Sequence, residues 1–370
     1  MKYSLRIVIL VLPFLLMVKL SRAQFSDSVF FEPNQIHQSG SLHLGFNGLG
    51  YFINQEYFNP MVNSYTMAGY HVAPVLKYQL SEKIRISAGG FLLNSLGRNE
   101  LLEVSPVFQF SYAPFGNFTL QFGTISGGLS HGLPEQVYSY SQALTQSNEE
   151  GIRALYRNDR LFFDVWLDWR YLTFPKDTET ERIFGGYHIN WNHAIGTNFK
   201  MHYYTQMVAY HNGGQDLAIY HKVQTYLNLV NGFQFTAKLN HELSVSNKSF
   251  YVQFYNTIPR QNFPYNMGFG FASEMQAKWK FLEGKFGYWY GNRFYNPLGE
   301  FQFSSVSQKS NFVLEPYRHV FYSHVKIEEE VYPGFYVGLR TGAYLSKNLN
   351  SQDFYIGILM RFNHDFLINK

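Results

Sequence analysis

The residues with chemistry to offer are mostly charged, and they fall on alternate positions. In Leu161–Tyr171, Phe162, Asp164, Trp166, Asp168 and Arg170 share one parity, while Leu161, Phe163, Val165, Leu167, Trp169 and Tyr171 take the other. Successive side chains of a strand leave opposite faces, so this stretch predicts a strand with one greasy and one hydrophilic face. The same parity argument puts Arg85, Arg153, Arg157, Arg182, His188, Lys200, Lys222 and Arg340 on the polar faces of further strands, with fewer acids beside them, among them Glu103, Glu242 and Glu274. If these faces line a water-filled passage, their excess of Arg and Lys favours anions. The alternative is pairing between strands, with Asp164, Asp168 and Arg170 matched to Arg153 or Arg182.

Hydrolytic chemistry would need a Ser within reach of a His that a third group orients. His37-Gln38-Ser39 precedes the first strand, Ser130-His131 falls in a loop, and Ser323-His324 sends its two side chains to opposite faces. On this reading the chain has no catalytic residue and is not an enzyme. The 13 His residues are scattered without metal-ligand spacing, so neither a metal nor another cofactor is expected. Trp166, Trp191 and Trp289 alternate with polar positions and could form a stacking track for sugars.

Charges at this spacing need strands to carry them, and the composition agrees. The chain has 370 residues, 46% hydrophobic and 19% aromatic, with 36 Phe and 29 Tyr but only 15% charged. Its mean hydropathy is nevertheless −0.22, and past residue 24 no apolar run approaches the ~20 residues of a spanning helix. A transmembrane barrel reconciles these facts, because only every second residue meets lipid and aromatic girdles flank the apolar band. There is no Cys, which excludes disulfides, thiolate metal sites and a lipid anchor on Cys. The net charge of +4 is spread along the chain, with no basic block for nucleic acid.

The alternation recurs from Ser41 to the C-terminus. It predicts an all-β fold, a transmembrane antiparallel up-and-down barrel of about 16 strands (roughly 14 to 18). Short turns alternate with longer loops, which places both termini at the periplasmic end. Asn231-Gly232 is read as a hairpin turn between strands at 216–230 and 232–244, and the apolar piece 249–258 as part of an external loop. Residues 1–23 read as a secretory signal, with Lys2 and Arg6 before an apolar core and cleavage near Ala23. Residues 24–39 read as a periplasmic N-terminal segment and 40–370 as the barrel. Signal and barrel together predict the outer membrane of a Gram-negative bacterium.

In overall plan the chain resembles outer-membrane porins, through its strand number and its long third external loop, 127–149. Gly132-Leu133-Pro134-Glu135 faintly echoes the acidic loop motif of the general diffusion porins. The resemblance implies that this loop, with Glu135, Glu149 and Glu150, folds into the lumen and narrows it. It implies passive diffusion of small hydrophilic solutes, with a mild anion preference from the basic lining. The expected partners are outer-membrane lipids and such solutes, no nucleic acid, and room is left for a homo-trimer. Two alternatives stay open: a plugged transporter of hydrophobic substrates, with residues 24–39 as the plug, and a barrel component of a secretion or surface assembly.

Overall fold

The computed structural model describes residues 38–99, 101–146, 148–174, 177, 179–214, 223–258, 263–309 and 313–369. The expected signal segment, nearly all of the expected periplasmic segment, and Lys222 lie outside these residues.

Among the described residues, sixteen strands close into one antiparallel barrel. They are β1 (Leu42–Glu56), β2 (Tyr65–Gln79), β3 (Ile84–Ser95), β4 (Glu103–Phe115), β5 (Phe118–Ile125), β6 (Glu149–Arg157), β7 (Leu161–Tyr171), β8 (Arg182–Ile195), β9 (Phe199–Asn212), β10 (Gln224–Lys238), β11 (Leu243–Asn256), β12 (Met267–Trp279), β13 (Leu282–Asn292), β14 (Tyr317–Tyr332), β15 (Phe335–Ser346) and β16 (Ser351–Asn369). Each pairs with its sequence neighbour, and β1 closes the circle: His43 lies opposite Lys77 of β2 and Leu367 of β16. Every backbone ladder is thereby satisfied with no free edge, which is what hydrocarbon demands of a sheet.

Burial runs opposite to that of a soluble protein. The outer wall presents apolar residues, among them Phe52, Phe122 and Ile358, while Gln206 and Asp164 on the inner wall are fully buried. The fold class and strand number match the expectation from sequence. Two boundaries do not. Asn231-Gly232 is no turn; it lies in the middle of β10, where Gly232 leaves room for the Tyr204 ring, 2.6 Å from where a Cβ would sit. The hairpin closes instead at residues 239–242, where Asn240 Oδ1 accepts from the amides of Glu242 and Leu243, each at 2.9 Å. Residues 249–256, expected in a loop, belong to β11.

The turns at 116–117, 158–160, 239–242, 280–281 and 333–334 mark one end of the barrel, and the loops 126–148 and 293–316 rise from the other. The β5–β6 loop carries a 3-10 turn at Gly128–His131 and a short helix, α1 (Tyr140–Thr145), capped by Ser139 Oγ accepting from the Gln142 amide at 3.2 Å. Both loops turn inward. Val137, Leu144, Phe303 and Met61 from the loops pack with Trp166, Phe184, Trp289, Tyr322 and Tyr344 from the wall into one apolar core inside the lumen.

Candidate functional site

The β5–β6 loop crosses the lumen and is riveted at two opposite walls. At the first, His131 is buried between Asp164 of β7 (Nδ1 to Oδ2, 2.8 Å) and Glu149 of β6 (Nε2 to Oε2, 2.9 Å), with Trp166 stacked on its ring at 3.7 Å. Carboxylates only accept, so both ring nitrogens donate and the ring is an imidazolium. Burial alone would lower its pKa, but Glu149 and Asp164 hold it above the ordinary histidine value. Arg153 of β6 forks onto the same Asp164 through Nε at 2.7 Å and Nη2 at 2.8 Å, and donates to the carbonyl of Ser126 through Nη1. The backbone is tied down as well: His188 and Gln206 donate to the carbonyls of His131 and Gly132 at 2.8 and 2.9 Å.

Four residues on, the loop reaches the far wall. Glu135 Oε1 accepts from Lys285 of β13 at 2.7 Å and from His324 of β14 at 3.0 Å. Burial would raise the Glu135 carboxyl, but His324 and Lys285 beside it hold it well below the usual carboxylate range. Tyr355 joins the cluster: its hydroxyl lies 2.8 Å from His324 Nδ1 and accepts from Arg340 Nε at 3.0 Å, while Arg340 stacks over Tyr140 at 3.9 Å.

The β13–β14 loop then packs on the crossing loop. Glu300 donates its amide to the Glu135 carbonyl at 2.8 Å, and Ser139 donates to the Leu298 carbonyl at 2.7 Å. The Glu300 carboxyl is pushed up to about 7, first by burial and then by the Glu135 charge beside it. Glu135 and Glu300 share a cavity of about 20 Å³ with Gln55, Tyr57, Arg340 and Tyr355, room for about one water. Larger polar cavities open toward the short-turn end: about 290 Å³ lined by Lys77, Tyr336, Arg361, His364 and Asp365, and about 230 Å³ lined by Gln234, Thr236, Ser244, Gln276, Lys278 and Glu283. The lumen is thus a polar vestibule at that end and a packed plug toward the long loops.

The residues singled out from sequence take these places. Arg85, Arg153, Asp164, Trp166, Asp168, Arg170, His188 and Arg340 stand on the inner face and away from solvent. Arg157 and Lys200 share that face but reach solvent at the short-turn rim. Arg182 sits at the other rim over Tyr171, 5.3 Å from its ring. Several of these charges are paired: Arg153 with Asp164, and Arg170 with Asp168 at 3.1 Å. Of the expected constriction residues only Glu135 lies in the loop. Glu149 and Glu150 open β6, and Glu150 faces outward because it alternates with Glu149, which points in to His131. The sugar track fails: Trp191 is 62% exposed on the outer wall, whereas Trp166 and Trp289 are packed inside.

One pair was overlooked. Ser41, just before β1, and His43 share the inner face, with Nε2 and Oγ 3.0 Å apart, and Ser41 also donates to the Gln38 carbonyl at 2.5 Å. With the one Ser41 proton on Gln38, His43 Nε2 donates here. The spacing is that of a nucleophile and its base, a relation that requires the Ser41 proton to turn from Gln38 to His43. The His131 ring cannot act as a base because both nitrogens already donate, and His324 is engaged by Glu135 and Tyr355. Ser41-Leu42-His43 was legible in principle, since positions two apart on a strand share a face.

A sequence profile of the family described as Lipid A 3'-O-deacylase-type matches residues 32–370. No curated protein matches the chain. Among solved structures, OprD of Pseudomonas aeruginosa aligns with a TM-score of 0.51 at 8% identity, covering 92% of this chain and 100% of that one. OpdL of Pseudomonas aeruginosa gives 0.51 at 11% identity, covering 89% and 99%. OmpT of Vibrio cholerae, expressed in the outer membrane, gives 0.50 at 10% identity, covering 89% and 100%. At such identities the likeness is one of fold: the porin-like barrel of the outer membrane. The family match overturns the reading of the chain as a non-enzyme. That reading rested on Ser–His pairs that were adjacent or outside the strands, and it passed over the pair two positions apart.

Proposed function

The chain belongs to the Lipid A 3'-O-deacylase-type family, and from that premise we propose that it is an outer-membrane esterase that removes an ester-linked acyl chain from lipid A. The family match across residues 32–370 carries the proposal. Ser41 is the proposed nucleophile and His43 the base that takes its proton once the hydroxyl turns from the Gln38 carbonyl toward Nε2. Ser41 Oγ adds to the ester carbonyl, the sugar oxygen leaves with the proton, and water then releases the fatty acid from the serine. The pair is buried in the inner wall at the vestibule end, with His43 directly opposite Lys77, which pairs with Asp365 at 2.6 Å. Mass spectrometry of lipid A from a Gram-negative host tests this. Cells making the folded barrel are expected to lose one acyl chain from lipid A, and cells making Ser41→Ala are expected to keep it. Unaltered lipid A beside a folded wild-type barrel would refute the proposal.

The wide polar vestibule favours a second reading, a gated channel for small hydrophilic solutes, in which the two inward loops are the gate. On that reading the exposed basic residues at the vestibule rim, Arg157 and Lys200 among them, support a mild anion preference, and displacement of the plug precedes any steady conductance. Planar-bilayer recording separates the two readings, because a plugged esterase conducts little at any voltage.

A further inference from the structure

We propose that the outer wall formed by β9 to β12 is a contact face for a second copy of this chain within the membrane. Around the rest of the barrel the middle of each strand mostly meets lipid with apolar or glycine residues, as at Gly48, Val72, Ala88 and Phe108; the exceptions are Ser323 of β14 and Thr341 of β15, and Thr341 donates to the Tyr355 carbonyl at 2.8 Å. Here the pattern changes. Asn231, Ser249 and Ser273 occupy the midpoints of β10, β11 and β12, and all three point outward, opposite in parity to buried Val230, Phe250 and Ala272. Asn247 extends the patch. Ser249 and Ser273 are cross-strand partners with hydroxyls 3.0 Å apart, and Ser249 donates to Asn247 Oδ1 at 3.4 Å. Asn231, exposed on the outer wall, accepts from Tyr203 at a long 3.5 Å through its carbonyl oxygen.

Hydrocarbon offers such groups no partners. A surface that matches them must therefore be protein, and it must be uncharged at this depth, since the patch carries no charge to compensate one. Serine hydroxyls and asparagine amides are each donor and acceptor. The patch can therefore be complementary to itself: across a two-fold axis through it, each group faces another uncharged donor-acceptor group of the same patch. This makes a second copy the occupant that the chemistry fits. The inference does not depend on the esterase reading.

The chain has no native Cys, so single cysteines report without background. Asn231→Cys and Ser249→Cys, each treated in isolated outer membranes with an oxidant or a short bifunctional thiol reagent, are expected to give a covalent dimer as the major species. Val72→Cys, outward at the middle of the opposite wall, should give none. The variant carrying Asn231→Leu, Ser249→Ala and Ser273→Ala should migrate as a monomer on native electrophoresis while keeping the heat-modifiable mobility of a folded barrel. If both cysteines cross-link no better than Val72→Cys, or join to a different protein, the proposal is overturned. A native dimer that survives the triple substitution overturns it equally.

Discussion

Raising the pH should loosen the plug, and Glu300 sets how much. Its carboxyl titrates near 7 in place instead of at its ordinary 4.5, because it is buried against Glu135 in the contact between the two inward loops. A carboxyl whose pKa is raised in the closed state holds a proton there that the open state would release. The closed state is therefore weakened progressively as pH rises from 4.5 to about 7, and the loss is complete above that. At about 1.4 kcal/mol per pH unit the whole span amounts to about 3 kcal/mol, roughly two orders of magnitude in the ratio of open to closed. His131 acts in the same direction. Its raised value means its contribution is full below the ordinary histidine value and is lost as pH climbs through the higher one. Glu135 is held low, so its contribution disappears only on strong acidification. The assay is amide hydrogen exchange at Ser139 and Glu300, whose N–H groups bridge the loops, at pH 5.5 and 8 after correction for intrinsic rates. Protection should fall at pH 8, and Glu300→Gln, neutral at every pH, should retain it. Equal protection at both pH values, or an undiminished pH dependence in Glu300→Gln, would refute the reasoning.

Asp164→Asn should cost about 3–5 kcal/mol of barrel stability, because Arg153 and the His131 imidazolium would stay buried with half their counter-charge gone. The measurement is the urea midpoint of unfolding from detergent micelles, and a shift below 1 kcal/mol would deny the network its role. Gly232→Ala should cost about 1–3 kcal/mol by driving a methyl into the Tyr204 ring and Phe250 Cβ, read by the same unfolding curve. Lys285→Met removes the cation at the far rivet and should free the crossing loop, seen as faster proteolysis near Glu135 with the barrel itself intact. His43→Ala should match Ser41→Ala in abolishing deacylation without changing the unfolding midpoint, and a variant that still deacylates lipid A would remove the pair from the mechanism.

The sequence carried the barrel more clearly than its contents, for a physical reason. Lipid on one side and a polar interior on the other impose period two on every strand, so a local pattern reports the global fold. The strand number survived an error because that error displaced two strands without changing their count. Asn-Gly is a strong hairpin signal in isolation, but Gly232 is small because an aromatic ring from β9 lies against it, and Asn231 faces outward. The true turn has no Gly, and one side chain, Asn240, satisfies its amides. The plug was illegible on different grounds. Its contacts join residues far apart in the chain, as Gln136 to Tyr322 at 3.2 Å and Asn59 to Gln302 at 3.0 Å, and no local period encodes them.

That difference bears on function. Inner-wall charges look alike whether they line a pore or hold a plug, because both uses put Arg, Asp and His on the polar parity. What distinguishes them is whether each charge already has a partner. Arg153, Asp164, Asp168, Arg170, His131, Glu135 and Lys285 do, in distances between 2.7 and 3.1 Å. Charges committed to one another hold a loop across the lumen and have little attraction left for a passing ion. Basic residues that remain in contact with solvent, among them Arg157, Lys200 and Lys238, stand at the vestibule rim. A selective field, if the plug opens, must therefore arise at the entrance and be screened over about 8–10 Å at physiological ionic strength. On the channel reading, the anion preference should consequently fall as salt is raised, in a barrel whose plug is held by pairs that salt reaches poorly.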